Sequence, residues 1–374
     1  MKKRKKLHLL LAAVIGSVLG LTAGHFEDSY IVQCIRQDRL LEYYAVTLGV
    51  LLAALLLHTV IHESGHLIFG LLTGYRFSSF RIGSLMLMKE KGKLVLRRHS
   101  IPGTSGQCLM APPELRYGKM PVVLYNLGGS IANLIFSILF FWMMILMPTG
   151  SVWAFVWGLM AVTGLASALL NVIPRENGAV VNDGYNTRSL LRDPESVRAM
   201  WIQLEISHRQ TQGERIAEMP SEWFDMPKEA QMQNNLIAFL AVARSDRLAD
   251  EGKLEEADEL MASLLAGENA IAPVHKGLLQ MQRLWLEIMR ENRPDVVKSL
   301  LTDELKGLMK AMKRYPPVIR VEYALAMLVD RNGQAAKKCL SRFDRAAKWF
   351  AFQAQIEGER KLLEVIREKA KEPA

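Results

Sequence analysis

The sequence predicts a mainly α-helical protein that crosses a membrane several times and continues into a water-soluble helical region. Half of the 374 residues are hydrophobic, although the mean hydropathy is only +0.09. These two values indicate that a strongly apolar part is averaged with a polar part. Long apolar runs lie between residues 7 and 174, whereas residues 185–374 are charged and rich in Ala and Leu. Beyond residue 190, the apolar residues follow a helical period, with essentially no strand pattern.

Four apolar runs are long enough to cross a bilayer, which takes about 20 residues. They cover residues 7–23, 43–73, 120–147 and 152–174. The sequence therefore predicts about four transmembrane helices. The first run follows a basic cluster at residues 2–6 and is interpreted as an uncleaved anchor, with a cleaved signal peptide as the alternative.

Basic residues are distributed unevenly among the loops between these runs. Nine Lys and Arg residues lie in residues 74–119, and the loop between the third and fourth runs has none. Because basic loops stay on the cytoplasmic side, we expect both termini to be cytoplasmic in a multi-pass cell-membrane protein, such as one of a bacterial plasma membrane. The net charge of +9 then reflects these loops and their anionic lipid neighbours. The bilayer is thus an expected partner, and nucleic acid is not.

A small β-hairpin is predicted next to the membrane. Residues 77–101 alternate in the manner of strands, with a turn expected at residues 90–93. One interpretation is a lid that packs on the membrane surface. The other is an edge strand that holds an extended peptide by strand addition.

The C-terminal helices show a weak repeat. Similar segments begin at Gly252, Asn292 and Gly333, which are 40 and 41 residues apart. This period is compatible with stacked hairpins of the tetratricopeptide kind, and a plain helical bundle is the alternative. We therefore expect three parts: residues 1–42 as anchor and external loop, 43–190 as the membrane core, and 191–374 as a cytoplasmic helical domain. Residues 200–374 are the expected site for a protein partner.

The second run contains a motif of polar residues, His62-Glu63-Ser64-Gly65-His66. On a helix, positions four apart share one face, so both imidazoles can approach one metal ion. Glu63 is placed to take a proton from a water molecule on that metal. Alternatively, the histidines bond to neighbouring helices and Glu63 is their counter-charge. Polar groups at membrane depth are costly, which favours the metal interpretation.

His58 lies on the same helical face as this motif. It is eight residues before His66, about 12 Å along the axis. Since zinc ligands lie about 2 Å from the ion, the two side chains are too far apart to share one. We expect His58 to line the site or to bond to a neighbouring helix.

A second motif follows the fourth run, in which Asn171-x-x-Pro174 precedes Asp183-Gly184. Together with His-Glu-x-x-His, it resembles the site-2 protease family of intramembrane zinc metalloproteases. The resemblance implies one zinc ion per chain, with His62, His66 and Asp183 as its ligands and Glu63 as the catalytic base.

The third run adds a weaker resemblance to this family, because Gly129 and Asn133 match its Gly-x-x-x-Asn pattern. The amides of Asn133 and Asn171 have two interpretations. They either pack helices together or hold the substrate backbone or the oxyanion.

The third ligand is the least settled residue of the predicted site. Asp183 lies nine positions after Pro174, further than in many members of the family. Glu176 is a rival in the intervening segment, and Asp193 lies in a charged helix that should point to the cytosol. Asp183 is preferred because an apolar stretch precedes it and Gly184 permits close backbone approach.

These features predict an intramembrane zinc metalloendopeptidase. It would hydrolyse a peptide bond of a membrane-anchored protein near the cytoplasmic face. The alternative is a catalytically silent membrane scaffold that recruits partners through its C-terminal helices. A metal transporter is a third interpretation, for which several ligand-bearing spans would be expected.

Overall fold

The computed structural model describes residues 29–148, 150–175 and 181–371. Within these ranges the chain is mainly helical and contains one small antiparallel sheet, which confirms the mainly α prediction. The first apolar run, residues 7–23, lies outside the described residues, together with the choice between anchor and signal peptide. The chain divides into two compact units. Among the described residues, the first comprises residues 29–73, Val123–Arg175 and Asn182–Thr187, and the second comprises the others.

The first unit is a bundle of long apolar helices. Its elements are α1 (Tyr30–Arg36), α2 (Leu40–Leu72), α3 (Val123–Leu146) and α4 (Val152–Val172). Three helices in the described part of the chain, α2, α3 and α4, are long and apolar enough to cross a membrane. They correspond to the second, third and fourth predicted runs. Helix α4 ends before Pro174, and Ile173 is already extended with ψ 116°, because a residue that precedes proline disfavours the helical conformation.

The helices of the bundle approach each other closely at glycine residues, which have no side chain. A Cβ atom on Gly65 of α2 would lie 2.3 Å from the carbonyl oxygen of Gly128 on α3. Small residues allow this kind of backbone contact between membrane helices. Helices α3 and α4 are also joined by a hydrogen bond, in which Ser137 Oγ donates to the carbonyl oxygen of Ala161 at 2.5 Å.

The sheet belongs to the second unit. Its strands are β1 (Arg76–Ile82), β2 (Leu85–Glu90), β3 (Lys93–Arg98) and β4 (Gly106–Ala111), in the antiparallel order β3-β2-β1-β4. The predicted turn at residues 90–93 is confirmed, because β2 and β3 form a hairpin there.

The prediction of a single hairpin was incomplete. Gly83 has φ 57° and forms a second turn, so residues 77–90 make two strands instead of one. Gly83 and Ser84 form its two-residue loop, and a Gly-Ser pair between apolar residues is a hairpin signal that the sequence reasoning missed. Strand β4 then pairs with β1 and completes the sheet.

The sheet shares a core with C-terminal residues of the same unit. Met86 and Met88 on β2 are buried together with Ala351. The amide of Arg98 donates to the carbonyl oxygen of Trp349 at 2.7 Å. Residues 74–122 therefore pack with the C-terminal helices, and the predicted division of the chain at residues 42 and 190 stays a prediction.

The remaining chain is helical, with three short 3₁₀ segments between residues 216 and 233 and a π-helical segment, Leu325–Val329. The helices are α5 (Asp183–Arg192), α6 (Pro194–Thr211), α7 (Asn235–Asp250), α8 (Leu254–Ala266), α9 (Pro273–Met289), α10 (Pro294–Leu300), α11 (Asp303–Ala311), α12 (Pro316–Ala324), α13 (Gly333–Ala347) and α14 (Gln353–Lys369).

The predicted repeat starts coincide with turns between helices. Gly252 with φ 80° separates α7 from α8, and Asn292 with φ 51° separates α9 from α10. Arg331 has φ 48° and precedes α13. The left-handed residues thus recur at intervals of 40 and 39 residues, close to the intervals of 40 and 41 read from the sequence. Whether these hairpins are true tetratricopeptide repeats stays a prediction.

Candidate metal centre

The two histidines of the motif meet on one face of α2. His62 Nε2 and His66 Nε2 lie 3.1 Å apart, and the ring centroids are 4.7 Å apart. One helical turn separates the two residues, so their side chains stack along the same face. Glu63 is buried on the same helix, next to His62.

Asp183 supplies a third donor atom at this place. Its Oδ2 lies 3.0 Å from His62 Nε2 and 3.5 Å from His66 Nε2. Among the residues that the structure describes, His62, His66 and Asp183 form a group that could hold a metal ion, with all three donor atoms within 4.8 Å of one another.

The spacing of these atoms fits zinc. Ligand atoms about 2.0–2.1 Å from one ion at tetrahedral angles lie about 3.3 Å apart, and the three observed separations lie around that value. Asp183 Oδ2 is also buried and has no hydrogen-bond partner among the described residues unless an imidazole carries its proton on Nε2. Two imidazoles and a carboxylate are a common donor set of catalytic zinc.

A backbone carbonyl fixes the orientation of His66. Its Nδ1 lies 2.7 Å from the carbonyl oxygen of Tyr125 on α3. A carbonyl oxygen only accepts hydrogen bonds, so Nδ1 carries a proton, and in the neutral ring Nε2 then has the lone pair. Metal-binding histidines usually have such a partner on the second ring nitrogen.

His62 fits into a notch on α3. A Cβ atom on Gly129 would lie 2.5–2.6 Å from atoms of the His62 ring, so only glycine leaves room for it. Four residues later, Asn133 Nδ2 lies 3.3 Å from His62 Nδ1. The spacing of Gly129 and Asn133 therefore places both on the face of α3 that contacts His62.

Asn182 ties Asp183 to the end of α4. Its Nδ2 donates to the carbonyl oxygens of Leu170 and Ile173 at 2.9 and 2.7 Å. Its Oδ1 accepts from the amides of Arg175 and Tyr185, both at 3.0 Å. One side chain thus joins the last carbonyls of α4 to the first turn of α5, where Asp183 lies.

Gly184 permits the same approach, as the sequence predicted. A Cβ atom on it would lie 2.1 Å from the carbonyl oxygen of Val172. The start of α5 can therefore lie directly against the end of α4.

The rival carboxylates differ in what the structure shows of them. Asp193 is the N-cap of α6, where Oδ1 accepts from the amide of Glu195 and Oδ2 accepts from Ser196 Oγ, both at 3.0 Å. It is therefore engaged in capping α6 and is not part of the metal group. Glu176 lies outside the described residues.

Two asparagines and one histidine that the sequence also indicated lie on the helices of the bundle. Asn133 is buried between the rings of His58 and His62. Asn171 donates from Nδ2 to the carbonyl oxygen of Ser167 in its own helix, at 3.0 Å. A role of either amide in binding substrate stays a prediction. His58 bonds to neighbouring helices, as expected, and is not part of the metal group.

Sequence reasoning missed Asn182 and Gly164. Asn182 could have been found, because asparagine is a preferred N-cap residue and stands directly before the Asp-Gly pair. Gly164 receives the ring of His58, and nothing in the local pattern of α4 distinguishes it from a glycine that packs against lipid.

The profile of peptidase family M50 matches residues 50–302, which is more than half of the chain. The chain belongs to peptidase family M50. This is the site-2 protease family, so the resemblance is confirmed, and the match extends beyond the segment on which it rested. Membership of this family implies a membrane metallopeptidase. Searches among curated proteins and among solved structures found no match.

Proposed function

We propose that this M50 peptidase uses one zinc ion to hydrolyse a peptide bond of a membrane-anchored protein, near the cytoplasmic face of a cell membrane. In this proposal His62, His66 and Asp183 bind the metal and Glu63 is the catalytic base. The observation that carries the proposal is the convergence of three donor atoms, separated by 3.0, 3.1 and 3.5 Å, from two parts of the chain far apart in sequence.

The chemistry divides between the metal and one carboxylate. Zinc in such a site polarises the scissile carbonyl and lowers the pKa of a water molecule to about 7. Glu63 is buried beside the ligands and has no place among them. Its carboxylate takes the proton of the attacking water and passes it to the leaving amine, which is general base and then general acid catalysis.

The depth of the site supports cleavage near one membrane face. Helix α2 ends at Leu72, six residues after His66, so the site lies about 9 Å along the helix from the end that the basic loop follows. By the positive-inside rule that end is cytoplasmic, and so are both termini. Water and the scissile bond would then meet within the membrane but close to the cytosol.

The substrate and its partners are inferred from the surroundings of the site. A peptidase whose donors lie on helices able to cross a membrane acts most directly on a membrane-anchored chain. Strands β3 and β4 are the edges of the sheet, and an edge can hold an extended peptide by strand addition. We assign to residues 200–374 the recruitment of a protein partner. The scaffold alternative gains no support, because the metal group and the family profile both favour an enzyme.

Metal analysis of the purified protein tests this proposal. The wild type should contain about one zinc per chain and cleave a membrane-anchored reporter. The double variant His62→Ala, His66→Ala should contain little zinc and should not cleave the reporter. A double variant that keeps the zinc and the activity of the wild type would refute the proposed metal centre.

A further inference from the structure

His58 lies outside the metal group, but it is buried and both of its ring nitrogens have hydrogen-bond partners. It lies one turn before His62 on α2 and is 1% exposed. Its Nε2 lies 2.9 Å from the carbonyl oxygen of Met160 on α4, and its Nδ1 lies 3.1 Å from the amide of Asn133 on α3. A Cβ atom on Gly164 would lie 2.3 Å from this ring, so α4 has a notch that accepts it.

The contacts of His58 determine which of its nitrogens carries the proton. The carbonyl oxygen of Met160 only accepts, so Nε2 must donate to it. Both partners of the ring, a carbonyl and an amide, are uncharged, and a neutral ring can satisfy both of them. A neutral ring with a proton on Nε2 has a lone pair on Nδ1. The group that faces Nδ1 must therefore donate.

Asn133 links the position of the proton on His58 to the position of the proton on His62. As placed, its Oδ1 faces His58 and its Nδ2 faces His62 at 3.3 Å. Half a turn of the amide exchanges the two atoms without changing the shape of the side chain. In that orientation Nδ2 donates to His58 Nδ1 and Oδ1 accepts from His62 Nδ1. His62 then keeps a lone pair on Nε2.

The opposite orientation gives a different arrangement at the metal group. The amide nitrogen then donates to His62 Nδ1, so the proton of a neutral His62 lies on Nε2. That atom is 3.0 Å from Asp183 Oδ2 and can donate to it, but it has no lone pair for a metal ion. The orientation of one buried amide therefore decides between a histidine–aspartate hydrogen bond and a ligand that is ready for metal.

We infer that His58 and Asn133 are positioning residues that hold His62 in the tautomer required for metal binding. The relay runs from the carbonyl of Met160 through His58 and Asn133 to His62. It rests on the proposed metal centre and adds two residues that do not bind the metal themselves. Partners of this kind typically change metal affinity by about 10–100-fold.

Zinc affinity in detergent solution, measured by competition with a chromophoric chelator, tests the relay. His58→Phe and Asn133→Leu remove its hydrogen bonds and should each weaken zinc binding by about 10–100-fold. Zinc should still bind, because all three ligands remain. His58→Gln should stay within about threefold of the wild type, since its amide can donate to Met160 and accept from Asn133.

Ser137→Ala is the matched control. This substitution removes the hydrogen bond that Ser137 Oγ donates to the carbonyl oxygen of Ala161 on α4. Ser137 lies one turn after Asn133, and this bond does not involve His62. The zinc affinity of this variant should equal that of the wild type. Equal affinities of His58→Phe and Ser137→Ala would overturn the relay.

Two further measurements distinguish a relay from a general loss of packing. The double variant of His58→Phe and Asn133→Leu should be no weaker than the worse single variant, because both act through one imidazole. Cobalt in place of zinc should show an altered visible spectrum in His58→Phe and the wild-type spectrum in His58→Gln. Multiplicative losses in the double variant, or an unaltered cobalt spectrum in His58→Phe, would contradict the inference. A wild type that binds no zinc would refute the metal centre itself, which is a separate outcome.

Discussion

The membrane bundle and the C-terminal helices are packed in opposite ways. In α3 the buried positions include Gly128, Gly129, Ser130 and Asn133, while bulky residues are exposed, among them Trp142. In α9 the buried positions are large and apolar, namely Leu279, Met281, Leu284, Trp285, Leu286 and Ile288. Burial of apolar area stabilises the C-terminal helices. Burial of apolar area contributes little stability to helices that lipid surrounds, because lipid is itself apolar. Close contact and hydrogen bonds stabilise the packing of those helices instead.

The two regions also satisfy buried polar groups differently. In the C-terminal helices, Arg320 Nε donates to Glu359 Oε2 at 2.8 Å, and its guanidinium lies 4.3 Å from the ring of Trp285. In the bundle, His58 bonds to a carbonyl and an amide. A polar residue in an apolar run therefore marks the interior of the bundle. In the C-terminal helices the buried Arg320 is instead faced by the opposite charge of Glu359.

The largest expected effect follows from Asp183→Ala. This change removes the donor that joins the metal group from outside α2, so we expect most bound zinc and all measurable cleavage to be lost. Metal analysis and a reporter cleavage assay measure the two effects. Asp193→Ala is the control and should keep its zinc, because that carboxylate caps α6. The opposite result for the two aspartates would show that the family motif had been assigned to the wrong carboxylate.

Glu63→Gln should separate chemistry from metal binding. Loss of a general base typically lowers the rate by about 10²–10⁴-fold, and we expect a decrease of that order in reporter cleavage. Zinc content should be unchanged, since Glu63 is not one of the three donors. Cleavage close to the wild-type rate would remove Glu63 from the mechanism.

Gly129→Ala tests how tightly the bundle holds His62. The new Cβ would lie 2.5 Å from the imidazole, so the ring or the helix must move. We expect zinc affinity to fall by about tenfold or more, in the range that altered ligand orientation produces. Gly49→Ala on α2 is the control, because a Cβ there meets nothing within 4 Å. Equal affinities of the two variants would show that Gly129 is not needed for the site.

The same substitution in the C-terminal helices should have a small effect of opposite sign. Gly358 lies inside α14 with nothing within 4 Å of its Cβ position. Gly358→Ala should raise the free energy of unfolding by about 0.5–1 kcal/mol, from helix propensity. Chemical denaturation measures the change. Gly277→Ala should gain less, because its Cβ would lie 2.3 Å from Leu308 Cδ2. Destabilisation by Gly358→Ala would contradict the comparison.

Much of the site could be predicted from the sequence because its signals are local. The helical period places His62 and His66 on one face, with Glu63 beside them. The three apolar runs correspond to α2, α3 and α4, with ends that differ by a few residues. The position of Asp183 needed the family resemblance, since nothing in the local pattern excludes a nearby carboxylate. Asn182 then explains how a longer segment still returns Asp183 to the helix.

The rest depends on contacts between distant residues, which no local pattern reveals. The hydrogen bond between His58 and Asn133 links residues 75 positions apart. Likewise, the burial of Met86 and Met88 with Ala351 joins two parts of the chain that the sequence assigned to different domains.

The double attachment made by Asn182 has a consequence for protein engineering. Because this side chain bonds to residues on both sides of the segment 176–181, we expect the position of Asp183 to depend little on how many residues that segment contains. Closing a longer loop costs only about 0.6 kcal/mol for each doubling of its length. Site-2 proteases with quite different Pro-to-Asp-Gly spacings could thus share one ligand geometry. A short epitope or fluorescent label inserted between Arg175 and Asn182 should therefore leave the three donors of the metal group in place.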